Sequence, residues 1–169
     1  MIAYALGGAA CGVLVDQVSK WLIFRLLAHH SEIQVASSFL VLVERRNPGG
    51  VFGVFPGSGH LFTALSVLAL GLIGVLMWRW LGSEPRPALA AALAAVLAGA
   101  VGNLIDRLAL GAVRDFIHIS VGRYGWPTFN MADIFITVGA IALVALMLLH
   151  SPTERGKKCS HDGAAGDST

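Results

Sequence analysis

The chain has 169 residues, of which 56% are hydrophobic and only 13% charged. Its mean hydropathy of +0.72 lies well above that of soluble globular domains. A formal net charge of +2, with basic residues scattered rather than clustered, excludes an electrostatic footprint for nucleic acid.

A membrane-spanning helix needs about 20 mostly apolar residues. The first candidate runs from Ile2 to Leu27 and carries Asp16, Ser19 and Lys20 in an otherwise apolar stretch. Ionisable groups inside a span cost a few kcal/mol each, so they face a bundle interior and pair with one another. Asp16 and Lys20 stand four apart, which places acid and base on one helical face. Their pairing fits a structural tie as well as a functional one. Cys11 lies in this span and Cys159 in the polar tail, settings too different to suggest a bridge, and no metal-ligand spacing surrounds either.

After the first span, Ser38 to Val43 reads as a short β run, followed by the turn chemistry of Asn47-Pro48-Gly49-Gly50. A small strand-rich flap outside the bilayer, covering Ser31 to Gly57, is expected. The second span, Leu61 to Leu81, is cleanly apolar at its centre. The third, Pro87 to Leu110, holds Asn103, Asp106 and Arg107. Asn103 and Arg107 share a face, and both offer forked hydrogen bonds able to grip a peptide backbone. The plainer alternative has Arg107 reaching to the interface with Asp106 neutralising it.

Gly111 to Phe129 is too polar, and too interrupted by Gly111, Gly122, Gly125 and Pro127, to span a bilayer. With Tyr124 and Trp126 suited to a headgroup boundary, it is expected to rest on the membrane surface. The fourth span is Met131 to Leu149. Residues 1–150 thus read as one integral membrane domain, and the tail Ser151 to Thr169, without apolar periodicity, as disordered. Four spans put both termini on one side. A positive-inside count that sets aside Lys20 and Arg107 gives five basic residues on each side and decides nothing.

Asp115 follows the end of the third span and Asp133 opens the fourth, so both belong at the same membrane face. Two carboxylates brought close share a proton, one activating water while the other polarises a carbonyl. Asp133 also stands three residues after Asn130, a good N-cap, where the helix dipole favours an anion. The two roles are compatible: Asp133 would ionise first and Asp115 would hold the shared proton.

Five blocks in order now resemble the lipoprotein signal peptidase (signal peptidase II) family. They are Asp16-Gln17-Val18-Ser19-Lys20, Asn47-Pro48-Gly49-Gly50-Val51-Phe52, Gly102-Asn103-Leu104-Ile105-Asp106-Arg107, Val113-Arg114-Asp115-Phe116, and Phe129-Asn130-Met131-Ala132-Asp133 running into Ile136-Thr137-Val138-Gly139. The resemblance covers Asp16 through about Gly139. It implies an all-α membrane protein of four transmembrane helices with a small extracytoplasmic β-rich flap and a surface segment between helices 3 and 4. It also implies an aspartic endopeptidase that removes signal peptides from prolipoproteins, cutting before the diacylglyceryl-modified cysteine, without metal or organic cofactor.

By motif, Asp115 and Asp133 correspond to the family's catalytic aspartates. Asn47, Asn103, Arg107 and Asn130 correspond to residues lining the substrate and inhibitor cleft, and Asp16, Lys20 and Asp106 to supporting positions. Implied partners are diacylglyceryl-modified prolipoproteins, membrane lipid and cyclic peptide antibiotics of the globomycin type. The implied location is the bacterial inner membrane, termini cytoplasmic and site at the periplasmic or outer face. Pro48 and Val51 depart from the commoner family pattern, which bears on the flap's detailed shape. The flap and the surface segment would clamp over the site and exclude bulk water. A rival from another class is a small proton-coupled transporter or channel subunit, with Asp16, Lys20, Asp106 and Arg107 as an intramembrane relay.

Overall fold

A computed structural model describes residues 1–49, 59–81 and 85–149. Four long helices dominate it: α1 (Ile2–Leu27), α2 (Gly59–Leu81), α3 (Pro87–Leu110) and α4 (Met131–Leu149). All four are long and apolar enough to cross a membrane. The shortest, α4, has 19 residues and is about 29 Å long at 1.5 Å per residue, close to the thickness of a hydrocarbon core. The expected spans coincide with these helices, the second beginning two residues earlier than expected. The expected tail from Ser151 and the latter part of the flap, positions 50–57, lie outside the described residues.

Burial explains the composition. Large apolar side chains such as Leu68, Leu72, Trp78 and Leu148 point outward, more than half exposed without lipid. The interior is built instead from small residues, with Ala90, Ala94 and Ala98 of α3 buried beside Ala5 and Ala9 of α1. Lipid tails are as apolar as leucine, so helices associate through close backbone approach rather than by hiding oily surface. Gly99 shows this most sharply, since a methyl group there would collide with the Ala132 carbonyl and with Ile136 of α4. Gly102, one turn further, leaves the space that the Asp16 carboxylate occupies.

Four antiparallel strands cap one end of the bundle, in the order β1 (Glu32–Ala36), β2 (Leu40–Asn47), β3 (Val113–Val121) and β4 (Tyr124–Gly125). The connection between α1 and α2 supplies β1 and β2; the connection between α3 and α4 supplies β3 and β4. Because β2 pairs with β3, both connections must lie at the same end, as expected for Asp115 and Asp133. The stretch from Gly111 to Phe129, expected to rest on the membrane surface, therefore supplies strands to the same sheet as the flap. Its edge is closed further by Phe129, whose backbone carbonyl accepts from Phe116 and Ile117 and whose N–H donates to Ile117.

The β2–β3 register carries one irregularity. Leu42 opposes Ile117 and Arg45 opposes Asp115, so two residues of β2, Val43 and Glu44, stand against Phe116 alone. Such a bulge re-aims every later side chain. Before it, Leu40 and Leu42 share the face of Ile117 and Ile119; after it, Arg45 and Asn47 do. Without the extra residue, Asn47 would project from the opposite face to Asp115.

Candidate active site

Asp115 is buried to 2% exposure at the start of β3. Its Oδ1 accepts from Asn130 Nδ2 at 2.6 Å, and its Oδ2 accepts from Asn47 Nδ2 at 3.2 Å. The Asn47 amide is held in that sense because its Oδ1 accepts the Gly49 N–H at 3.1 Å, a local turn typical of asparagine.

Asn130 caps α4. Its Oδ1 accepts the Asp133 N–H at 3.1 Å, while its own N–H donates to Asp133 Oδ2 at 3.2 Å. This is a reciprocal capping box, satisfying two donors at the helix start. The cap therefore orients both acids: its oxygen and backbone hold Asp133, and its nitrogen reaches Asp115.

Asn103 completes the link. Its Nδ2 donates to Asp133 Oδ1 at 2.9 Å, while its Oδ1 accepts from Asn130 Nδ2 at 3.2 Å and from Lys20 Nζ at 3.1 Å. An ammonium can only donate, so Lys20 forces the Asn103 oxygen toward itself and the nitrogen toward Asp133. Asp115 and Asp133 are thus joined through two amides and face one cavity of about 950 Å³, which Asn47, Asn103 and Arg107 also line.

Electrostatics follow from this placement. Burial pushes the Asp115 carboxyl up to about 6, and the nearby charge of Asp133 adds to the rise; the donors on Asn47 and Asn130 oppose it.

Arg107 lies on the cavity wall, near enough to Asp106 to feel its charge but, among the described residues, in no direct ion pair with it. Arg107 Nη1 donates to Ser66 Oγ at 3.2 Å and to the Asn103 carbonyl at 3.4 Å. Its buried Nε has no hydrogen-bond partner among the described residues. Asp106 turns instead to Lys20 at 3.2 Å and Arg114 at 2.7 Å. Lys20 also meets Asp16 at 2.8 Å, confirming the expected pair of α1 with both side chains fully buried.

Asp16, Asp106, Lys20 and Arg114 form a cluster of two acids and two bases, balanced in charge, directly beneath the amide link. Asp16, Lys20 and Asp106 are absent from the cavity lining, whereas Asp115, Asp133, Asn103 and Arg107 belong to it. Gln17, Ser66 and Arg114 belong to these networks too, although sequence reading assigns them no role. Gln17 is a polar residue in a span beside Asp16, a signal of the same kind as Asn103.

The fold and this site define a polytopic membrane protein with a paired-carboxylate cavity where the bundle meets its cap. The sequence model of the family described as Signal peptidase (SPase) II matches residues 8–149, and the chain belongs to that peptidase family. It is 41% identical over 142 residues to the lipoprotein signal peptidase of Symbiobacterium thermophilum, covering 84% of this chain and 90% of that one. It is 42% identical over 148 residues to that of Dehalococcoides mccartyi strain 195, covering 85% and 88%. A solved structure described as a bacterial membrane enzyme obtained by the in meso method at 2.3 Å resolution superposes with a TM-score of 0.81, 27% identity, and coverage of 95% of this chain and 96% of that one. These relationships give no support to the transporter reading; of the supposed relay residues, Asp16, Lys20 and Asp106 close on one another, while Arg107 turns to Ser66 and the Asn103 carbonyl.

Proposed function

We propose that the chain is an aspartic endopeptidase that removes signal peptides from prolipoproteins, cleaving before the diacylglyceryl-modified cysteine, with Asp115 and Asp133 as catalytic groups. The observation that carries this reading is the pair of amides, Asn130 and Asn103, joining the two carboxylates at the wall of one cavity. Family membership and the names of the relatives support the substrate class.

Asp133 sits at a helix N-terminus, where the dipole and the Asn103 donor favour its anion. Asp115, on a strand, has no helix dipole to stabilise charge, and its raised proton affinity suits it to hold the shared proton. Asp133 then takes a proton from a water as that water attacks the scissile carbonyl. Asp115 donates its proton to the carbonyl oxygen as it gains charge; collapse of the tetrahedral adduct then breaks the C–N bond, Asp133 passing the water's proton to the cysteine nitrogen and Asp115 recovering its own from the adduct hydroxyl. Asn47, Asn103 and Arg107, which line the cavity, bind the substrate backbone, while Asn130, expected in that lining but fully buried behind it, holds the two acids in place. Asp16, Lys20 and Asp106 support them from below.

Residues 1–150 form the membrane domain and 151–169 a cytoplasmic tail. Both termini face the cytoplasm of a bacterial inner membrane, with the site at the outer face, where the acyl chains of the substrate remain in lipid and fix the scissile bond at headgroup depth. The flap and the adjoining strands exclude bulk water, and cyclic peptides of the globomycin type compete for the cavity. Incubation of the purified chain with a diacylglyceryl-modified prolipoprotein and with its unlipidated counterpart tests the reading by mass spectrometry. Cleavage of the first alone, immediately before the cysteine, is expected; cleavage elsewhere, or of neither, overturns it.

A further inference from the structure

Beneath the cavity, the residue preceding each of the paired acids gives its backbone N–H to a buried carboxylate. Arg114 N donates to Asp106 Oδ2 at 2.9 Å, and Ala132 N donates to Asp16 Oδ1 at 2.9 Å. Lys20 stands between those two carboxylates, 3.2 Å from Asp106 and 2.8 Å from Asp16. The segments that carry Asp115 and Asp133 are therefore tied to the two ends of one ionic frame.

A single amide bond would hold β3 to this frame weakly, but the Arg114 side chain adds three contacts. Its Nη2 donates to Asp106 Oδ1 at 2.7 Å and to Gln17 Oε1 at 2.8 Å, and its Nε to Asp106 Oδ1 at 3.3 Å. Gln17 cannot turn its amide over, because its Nε2 is engaged with Asp16 Oδ2 at 3.0 Å and the Gly102 carbonyl at 3.1 Å. Arg114 thus grips α3 through backbone and side chain together, and α1 through Gln17.

Successive residues of a strand project to opposite faces. A guanidinium locked onto the bundle end leaves the next side chain, Asp115, directed into the cavity. Neither Arg114 nor Gln17 lines that cavity, so their contribution is not contact with substrate.

Resting on the reading of Asp115 and Asp133 as the catalytic pair, we propose that Arg114 is a positioning residue for Asp115, with Gln17 as its partner, fixing the carboxyl at the separation from Asp133 that sharing a proton requires. The charged or titratable groups facing Asp115 are Asp133 from α4, Lys20 from α1 and Arg107 from α3, with Arg45 opposite it on β2 and His118 on its own strand at the cavity wall. Loosening β3 changes the first of these interactions most, because two acids interact steeply at short range.

The test uses the full chain in detergent micelles with a lipidated prolipoprotein substrate, measuring kcat, KM, the pH profile of kcat/KM and the melting temperature. Arg114→Gln is expected to lower kcat by at least about tenfold with KM within about twofold. It should also bring the two apparent pKa values of the dyad closer by about half a unit or more, as weaker coupling requires. Arg114→Lys should recover part of kcat, since an ammonium pairs with Asp106 but cannot fork to Gln17. Gln17→Met should act in the same direction but less. The proposal is overturned if Arg114→Gln keeps wild-type kcat, or if kcat falls only with the folded fraction while the pH profile keeps its width. Should Arg114→Gln not fold, an unchanged kcat and pH profile in Gln17→Met overturns it. An inactive wild type or a fully active Asp115→Asn would mark failure of the catalytic reading itself and remove the basis of this one.

Discussion

The side-chain nitrogen of Asn130 lies 2.6 Å from Asp115 Oδ1, while the same residue caps the helix that carries Asp133. One side chain therefore couples the start of α4 to the start of β3, and its two functions separate by mutation. Asn130→Ala loses both and should lower stability by about 1 kcal/mol from the cap alone, with kcat falling by about a hundredfold. Asn130→Ser keeps an oxygen for the cap but is too short to donate to Asp115. A far smaller drop in melting temperature than for Asn130→Ala, with a comparable loss of kcat, is the expected pattern.

In the proposed mechanism the pH dependence of turnover follows from the proton on Asp115. Its carboxyl, raised to about 6, would have to be protonated when the water attacks. In a kcat/KM profile the rate should fall on the alkaline side with an apparent pKa near that value. A rate that kept rising through neutrality would place the proton elsewhere.

Stability carries the same sign. An acid whose proton affinity rises on folding binds more protons in the native state. Its contribution is complete below the ordinary value of 3.8 and is lost as pH climbs through about 6. Melting temperatures of the wild type should decline between those limits, and Asp115→Asn should flatten that decline. An equal slope in both proteins would show that another group is responsible.

The buried cluster beneath the site balances Asp16 and Asp106 against Lys20 and Arg114. Lys20→Met strands a negative charge among fully buried groups and should destabilise by about 3 to 5 kcal/mol. Adding Asp16→Asn restores neutrality and keeps an acceptor for the Ala132 N–H. The double variant should therefore melt above the single one, a reversal that independent side chains would not give.

Much of this architecture is legible in the sequence because lipid imposes a length and an apolar character that few other environments demand. The four spans stand out for that reason, and the buried acids and bases stand out against them. The strands were harder. Ile117-His118-Ile119-Ser120-Val121 alternates as a strand should, but the glycines and Pro127 around it suggest only an irregular surface segment. Its pairing with β2 is a contact between segments some seventy residues apart, which no local pattern announces. The partners of Asp106 were hidden similarly, since the Arg114–Gln17 bond joins positions separated by 97 residues. Spacing alone suggested the adjacent Arg107 as the counter-ion of Asp106. The bulge opposite Phe116 was equally invisible, although it decides the face on which Asn47 appears.

The most direct measurement is single-turnover cleavage of a lipidated prolipoprotein by Asp115→Asn and by Asp133→Asn, each checked for wild-type helicity and melting. Both should bind substrate with near-normal affinity and cut it at least about a thousandfold more slowly. If either folded variant cleaved at the wild-type rate, the two carboxylates would not be the pair that performs the chemistry.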